Sequence, residues 1–154
     1  MSAAMQAILE HPDFPQCFAW WREEVGPEQA IIKEGDVTRD LYLIERGVVR
    51  VNKDVEVNEG RHMQSGLLEL SVGDIFGELN LFGEASRSAS VVAMSQGVLI
   101  HIDGNELSKF MDQHIELGYA LLKEFFIRDA AALDFSNQRY STIYARQLRQ
   151  DDES

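Results

Sequence analysis

Hydrophobic residues follow three different periods along the chain and divide it into three blocks. The first block, 1–27, contains two short apolar runs at 6–11 and 16–25, which are split by Pro12 and Pro15. Proline is tolerated in the first turn of a helix and disrupts a helix interior. This block is therefore predicted to form short N-terminal helices.

Short apolar runs bounded by turn residues fill the second block, 29–103. Glycine, asparagine and aspartate separate seven such runs, which lie at 30–32, 41–47, 48–51, 55–57, 66–70, 90–93 and 98–102. Short strands at this spacing are typical of an antiparallel sandwich or barrel. We therefore predict a mainly β chain, with a jelly-roll-like β-roll or barrel over 29–103 flanked by N-terminal and C-terminal α-helices.

The third block, 104–150, changes to a helical period. Asp103 followed three residues later by Glu106 has the form of a capping box, which predicts a helix start. Apolar residues then recur at helical spacing, and they are Leu107, Phe110, Met111, Ile115, Leu117, Leu121, Leu122, Phe125 and Phe126. The acidic end, 151–154, is expected to be a frayed tail.

One set of aromatic and apolar residues in the third block recurs every seven positions. Tyr119, Phe126, Leu133 and Tyr140 fit a dimer seam between C-terminal helices. Asp129 and Ser136 interrupt the second seam position, so packing on the chain's own barrel explains the spacing equally well.

Composition and charge narrow the class of protein. The 154 residues predict a single domain over 1–154, and 14 basic against 26 acidic side chains give a net charge of −12, which disfavours nucleic acid as a partner. A single cysteine, Cys17, indicates a reducing compartment. The chain carries no secretory signal pattern and no apolar run long enough to span a membrane. We expect a cytoplasmic domain with no direct membrane insertion.

The segment 76–91, FGELNLFGEASRSASV, carries the candidate chemistry. A single helical turn at 78–82 follows Gly77, so the free amides of residues 77–80 are expected to converge on an anion. Arg87 offers a planar fork for two phosphate oxygens. Glu78 only accepts hydrogen bonds when ionised, so it suits a sugar hydroxyl better than a phosphate.

This segment resembles the phosphate-binding cassette of the cyclic nucleotide-binding domain family, whose pattern is FGE-L-A-L, a variable loop and P-R-A/S-A-T-V. The stretches KEGD (33–36), LYLIERGVVRV (41–51) and VLIHIDGNEL (98–107) extend the resemblance over about 31–122. It implies that Glu78 accepts from the ribose 2′-hydroxyl and that Arg87 pairs with the cyclic phosphate. The expected ligand-binding residues are Phe76, Gly77, Glu78, Leu79, Asn80, Arg87, Ser88 and Ala89.

The sequence departs from the family pattern at two positions. Asn80 stands where the family has alanine, and it either crowds the turn or adds a polar contact. Ser86 replaces a proline that stiffens the approach to the arginine, so its loss is expected to loosen the loop. Ser88 directly after the arginine resembles bacterial cAMP receptors and favours cAMP over cGMP.

The resemblance implies a non-catalytic sensor, with no cofactor besides its cyclic nucleotide ligand. In this family the C-terminal helices close over the base, and here Phe125, Phe126 or the tail would supply an apolar lid. That closure would signal to a protein effector or through a homodimer of the C-terminal helices.

Two other functions stay open at this point. One is a degenerate β-roll that binds no nucleotide and acts in protein–protein interaction, because RSASVVA and the following helices resemble the cytoplasmic tails of bacterial sulfate-permease-type anion transporters. The other is a metal-dependent barrel enzyme. Histidines at 11, 62, 101 and 114 are far apart in sequence and form no His-x-His pair, so no metal site is predicted.

Overall fold

Two four-stranded antiparallel sheets form the body of the protein. The computed structural model describes the backbone of residues 2–58 and 61–153 and the side chains of residues 2–52 and 68–134. The sheets have strand orders β1-β8-β3-β6 and β2-β7-β4-β5. The strands are β1 (Trp20–Val25), β2 (Ala30–Ile32), β3 (Leu41–Arg46), β4 (Val49–Asn58), β5 (Arg61–Leu70), β6 (Ile75–Phe76), β7 (Ser90–Ala93) and β8 (Gly97–Ile102). The prediction of a β-roll flanked by helices is confirmed.

Three helices flank the sheets: α1 (Ala3–Leu9), α2 (Gly104–Gln113) and α3 (Ile115–Glu153). The predicted start of α2 is confirmed, because the Glu106 amide donates to Asp103 Oδ1 at 2.9 Å. The Ser2 hydroxyl caps α1 by accepting from the Met5 amide at 3.0 Å. Helix α1 packs against the first part of α3, with the Ala4 amide donating to Glu124 Oε1 at 3.3 Å, so these two helices lie on the same side of the sheets.

The second predicted N-terminal helix, within 16–25, is wrong, because these residues contain strand β1. All six residues of β1 pair with β8, from Trp20 opposite Ile102 to Val25 opposite Gly97. Tryptophan and valine fit a pleated, half-buried surface well. The pairing with a strand far along the chain outweighs the local helical spacing.

Several strands and helices also differ from the sequence prediction, and β5 begins at Arg61 instead of residue 66. The runs 48–51 and 55–57 belong to the single strand β4, and the short strand β6 was missed because two residues carry no periodic signal. The predicted tail at 151–154 is wrong for residues 151–153, because α3 continues to Glu153. The sequence has neither glycine nor proline after Gly118, so nothing in it ends the helix earlier.

The buried side chains form two clusters on opposite sides of the sheet that contains β3. The larger cluster joins α1, α2 and α3 to the sheet and includes Met5, Leu43, Ile102, Leu107 and Leu121. The smaller cluster lies between the two sheets and includes Ile44, Val49, Phe76, Val91 and Leu99. The segment after β6 lies next to both clusters, since Phe76 belongs to the smaller one and Leu81 to the larger.

Candidate functional site

A cavity of about 410 Å³ lies where the segment after β6 meets the second sheet and α3. Its apolar wall comes from β2, β4, β5 and β7 and consists of Ile32, Val51, Leu68, Leu70 and Val91. All eight residues predicted as ligand-binding lie on its wall: Phe76, Gly77, Glu78, Leu79, Asn80, Arg87, Ser88 and Ala89. The structure therefore brings the predicted residues together around one space.

Arg87 is a buried cation, with only 3% of its surface exposed. Its guanidinium donates from Nε to Thr38 Oγ1 at 2.9 Å, from Nη1 to the Gly77 carbonyl at 2.8 Å and from Nη2 to the Asp40 carbonyl at 2.7 Å. Burial lowers the pKa of Arg87, and the charges of Asp40 and Glu78 oppose that shift. These contacts fix the plane of the guanidinium at the cavity wall.

The main chain of Arg87 is fixed as well. Its amide donates to the Asp36 carbonyl at 2.7 Å, and its carbonyl accepts from the Gly35 amide at 2.9 Å. The loop before β3 therefore holds the arginine in place, through residues about fifty positions earlier in the chain.

Gly77 lets the chain pass close to the arginine. It has φ +89°, and a Cβ there would lie 2.7 Å from the Asp40 carbonyl oxygen and 3.2 Å from Arg87 Nη1. A side chain at this position would both strain the backbone and displace the groups that orient the guanidinium. Glycine is required here for two separate reasons.

Asn80 braces the loop that leads to Arg87. Its Nδ2 donates to the carbonyls of Ala85 at 3.0 Å and Ser86 at 3.3 Å, and its Oδ1 accepts from Arg87 Nη1 at 3.4 Å. The sequence left open whether Asn80 crowds the turn or adds a polar contact, and the structure shows the polar contact. The two departures from the family pattern thus lie together, because Asn80 restrains the carbonyl of the residue that replaces the family's proline.

The turn after Gly77 offers fewer free amides than predicted. Residues Glu78–Asn80 form a short 3-10 turn in which the Asn80 amide donates to the Gly77 carbonyl at 3.3 Å. The predicted convergence of four amides is therefore wrong for Asn80. The Glu78 amide donates to the carboxylate of its own residue, so the amides of Gly77 and Leu79 are the ones left as candidates for an anion.

Glu78 is paired with Arg128 of α3. Arg128 Nη2 donates to Glu78 Oε1, and Nη1 donates to the Ile75 carbonyl at 3.3 Å. The side chain of Glu78 is only 10% exposed. Burial raises the pKa of Glu78, and the charge of Arg128 offsets this effect only in part. The ion pair joins α3 directly to the predicted phosphate-binding segment.

A polar network behind Arg87 was not anticipated from the sequence. His101 Nε2 lies 2.6 Å from Asp40 Oδ2, His101 Nδ1 lies 2.7 Å from Glu23 Oε1, and Asp40 Oδ1 accepts from the Gly104 amide at 2.9 Å. Burial lowers the pKa of His101, but its hydrogen bonds to Asp40 and Glu23 more than offset this and raise it overall. Asp40 therefore links the arginine to the first residue of α2.

Two of the three candidates for the predicted apolar lid, Phe125 and Phe126, do not match the structure, and the third, the tail, lies outside the described side chains. Phe125 is buried in the core at 7% exposure, Phe126 is 75% exposed, and neither residue lines the cavity. Instead, α3 contributes Arg128, Asp129 and Ala132 to the cavity wall. The helical period predicts which side chains share a face of α3. It does not predict which of those faces is turned toward the sheets.

Comparisons with known proteins agree with the fold. The family model described as the cyclic nucleotide-binding domain matches residues 22–114. None of the helices in the part of the chain that the structure describes is long and apolar enough to cross a membrane.

Relatives and solved structures point the same way. A cAMP-dependent protein kinase regulatory subunit from Colletotrichum orbiculare is 40% identical over 71 residues, which cover 46% of this chain and 16% of that protein. The cAMP-bound PfPKA-R structure is 31% identical, with a TM-score of 0.53, over 59% of this chain and 31% of the other. The catabolite activator protein of Thermus thermophilus shares the fold, with 24% identity and a TM-score of 0.65, over 79% and 55% of the two chains. The chain spans about a sixth of the length of the fungal regulatory subunit.

Proposed function

Because the chain belongs to the cyclic nucleotide-binding domain family, we propose that it is a non-catalytic receptor for a cyclic nucleotide, cAMP in preference to cGMP. The observation that carries the proposal is the position of a buried arginine, Arg87, and a carboxylate that is only 10% exposed, Glu78, on the wall of a single cavity. The resemblance assigns phosphate and ribose to these two residues. The single cysteine is consistent with a reducing, cytoplasmic compartment.

Arg87 supplies the phosphate contact in this proposal. Its Nη1 bond to Asn80 is the longest that it makes, at 3.4 Å, and is the contact most easily exchanged for a phosphate oxygen. The guanidinium is already desolvated and oriented, so binding requires little further ordering. The amides of the turn that follows Gly77 add donors on the same side.

Glu78 supplies the ribose contact. Arg128 engages Glu78 Oε1, and a carboxylate has lone pairs on both oxygens, so Oε2 can accept from a 2′-hydroxyl while the ion pair stays in place. Only the ionised carboxylate accepts in this way. Because burial raises the pKa of Glu78, the Arg128 charge helps to keep it in the binding form.

The base would lie against the apolar wall from the second sheet. Two or three charge-assisted hydrogen bonds of about 1.5–3 kcal/mol each, together with burial of a flat base, are expected to outweigh the ordering costs of binding. The expected dissociation constant is therefore micromolar. Selectivity for cAMP rests on Ser88, which follows the arginine and lines the cavity.

Isothermal titration of the full chain with cAMP, cGMP and 2′-deoxy-cAMP tests the proposal. We expect micromolar cAMP binding, weaker cGMP binding, and a loss of about tenfold for the 2′-deoxy ligand because one hydrogen bond to a charged group is missing. Equal affinity for cAMP and the 2′-deoxy ligand would remove Glu78 from the ribose contact. Absence of binding to either cyclic nucleotide would leave the degenerate β-roll as the better description.

Arg87→Ala should abolish binding in the same assay. Arg50→Ala is the matched control, since Arg50 is a partly exposed arginine paired with Glu69 on the sheet surface and lies outside the cavity. Because Arg87 also makes structural hydrogen bonds, circular dichroism must show that the variant is folded, and Arg87→Lys offers a variant that keeps the charge. Tight cAMP binding to folded Arg87→Ala would refute the assignment.

The signal would pass through α3. Glu78 connects the proposed ribose site to Arg128, so a ligand that holds Glu78 in its ionised, buried position also strengthens the docking of α3. Arg128→Gln should therefore weaken cAMP binding and reduce the difference between cAMP and its 2′-deoxy analogue. Tighter binding by this variant would mean that Arg128 competes with ribose instead.

We also propose that α3 pairs with a second copy of the chain. Tyr119, Phe126 and Leu133 lie seven residues apart and are 66%, 75% and 62% exposed, so they do not pack on the chain's own barrel. Their spacing is that of one coiled-coil seam position; Tyr140 lies outside the described side chains. Light scattering should give a dimer that Phe126→Glu converts to a monomer, and a monomeric unaltered chain would favour a separate protein effector on this face.

A further inference from the structure

Three potential metal ligands meet where the segment after α1 contacts the junction of α2 and α3. One ligand atom from each of His11, Asp13 and His114 lies within 4.8 Å of the other two. The histidines are far apart along the chain, and for that reason the sequence predicts no metal site. That separation does not hold in space, because the rings of His11 and His114 lie 4.4 Å apart.

We propose that His11, Asp13 and His114 bind one divalent transition-metal ion of the zinc type. Two imidazoles and one carboxylate are a ligand set that zinc takes in proteins, with further positions filled by water. The proposal is separate from the nucleotide site, since none of the three residues lines the cavity that holds Arg87.

Both imidazoles are directed at the same residue. His11 Nδ1 accepts from the Asp13 amide at 3.0 Å, and His114 Nε2 lies 2.9 Å from Asp13 Oδ2. Ligand atoms around a tetrahedral zinc ion are about 3.4 Å apart, given bonds of about 2.0–2.2 Å. An ion would take the lone pair of His11 Nδ1 that now accepts from the Asp13 amide, and it would replace the proton between His114 and Asp13. Ligand atoms that are now up to 4.8 Å apart would have to approach by as much as about 1.4 Å. Asp13 is free to move by that amount because its side chain is 61% exposed.

Packing against Phe110 holds the two rings in place. Phe110 stacks on His114 with centroids 4.4 Å apart and meets the edge of His11 at 5.1 Å. Phe110 is buried in the core at 3% exposure, so both imidazole rings pack against a fixed apolar side chain, while Asp13 faces solvent. Asp13 also lines an adjoining cavity of about 340 Å³, which leaves room for water at the open coordination positions.

The charge of the chain favours a cation at this position. The net charge is −12, and the one lysine on the wall of the adjoining cavity, Lys109, pairs with Glu106 at 3.4 Å. Binding the ion would tie the segment after α1 to the residue that directly precedes α3. The site would therefore have a structural role, in which the bound ion stabilises the position of the first turn of α3.

Titration of the full, chelator-treated chain with Zn²⁺ alone tests the proposal. We expect one ion per chain, a higher melting temperature in Zn²⁺, and visible absorption of tetrahedral intensity when Co²⁺ replaces Zn²⁺. His11→Gln, His114→Gln and Asp13→Asn should each weaken binding by at least about tenfold. His62→Gln is the control, because it removes a histidine and leaves all three ligands in place.

The outcomes separate a metal site from a plain ion pair. No stoichiometric binding at about 0.1 mM Zn²⁺ would overturn the proposal. Equal affinity of the unaltered chain and the folded Asp13→Asn variant would overturn it as well, since the exposed Asp13 can be replaced without disturbing the core. Loss of the ion in the three variants but not in His62→Gln would establish the site.

Discussion

The contact between Asn80 and the loop before Arg87 leads to a prediction about how this chain builds its site without the family's proline. Asn80→Ala removes the amide that donates to the Ala85 and Ser86 carbonyls and the oxygen that accepts from Arg87. The loop should then sample more conformations, and the arginine should be presented less often in its binding geometry. We expect weaker cAMP binding with little change in the sheets.

The magnitude follows from the two carbonyl contacts. A typical hydrogen bond contributes about 0.5–1.5 kcal/mol, and both carbonyls belong to exposed residues that water can reach, so the lower end applies to each. The loss should be about 1 kcal/mol, which corresponds to an affinity about fivefold weaker. Ser86→Pro restricts the same loop through the backbone and is worth about 0.4–1 kcal/mol where the backbone accepts it.

A double-mutant cycle measures the coupling between the two positions. It compares the cAMP affinity, from isothermal titration, of the unaltered chain, Asn80→Ala, Ser86→Pro and the double variant. Ser86→Pro should recover most of the loss in the Asn80→Ala background and add little to the unaltered chain. Hydrogen exchange of the Arg87 amide, which donates to Asp36, gives a second measurement that needs no ligand. Equal gains from proline in both backgrounds, or unchanged affinity in Asn80→Ala, would refute the coupling.

Three further predictions concern charge and backbone. The pKa of His101 is raised in the folded chain, so the stability from its pairing with Asp40 and Glu23 should be complete below about pH 6.5 and lost as the pH rises through the folded pKa. Thermal melts should show this loss in the unaltered chain and not in His101→Gln. Parallel pH profiles of the two melting temperatures would contradict the prediction. Gly77→Ala should lower the melting temperature more than Gly83→Ala. Both glycines have positive φ, but of the two only Gly77 has atoms within 4 Å of an added Cβ. Equal shifts in melting temperature would show that the clash between the new Cβ and the Asp40 carbonyl relaxes freely. Because the net charge of −12 repels an anionic ligand, added salt should leave the association rate of cAMP unchanged or increase it in stopped-flow measurements, and a strong decrease would argue against this site.

Local sequence signals predicted much of the fold and the residues of the site. Strands β2 and β7 begin and end where the apolar runs do, and the Asp103 cap starts α2 as expected. Glu78 and Arg87 lie nine residues apart on either side of one turn, so a local motif was enough to place both near the same cavity.

Contacts between distant parts of the chain could not be predicted. The partners of Arg87, Thr38 and Asp40, lie 49 and 47 residues away, and Arg128 lies 50 residues from Glu78. Carbonyl and hydroxyl oxygens of the chain accept from most of the donors of Arg87. Main-chain carbonyl acceptors cannot be recognised from the sequence, because every residue has a carbonyl.

The length of α3 determines how far a small event near its start can be transmitted. A helix of 39 residues measures about 58 Å at 1.5 Å per residue, and the sequence contains no glycine or proline beyond Gly118 to absorb bending. If such a rod tilts by about 10° about its first turn, its far end swings by about 10 Å. A displacement of about 3 Å at Arg128, a third of the way from the pivot to the far end, thus becomes one of about 10 Å at the far end, which is wide enough to make or break contact with a neighbouring molecule.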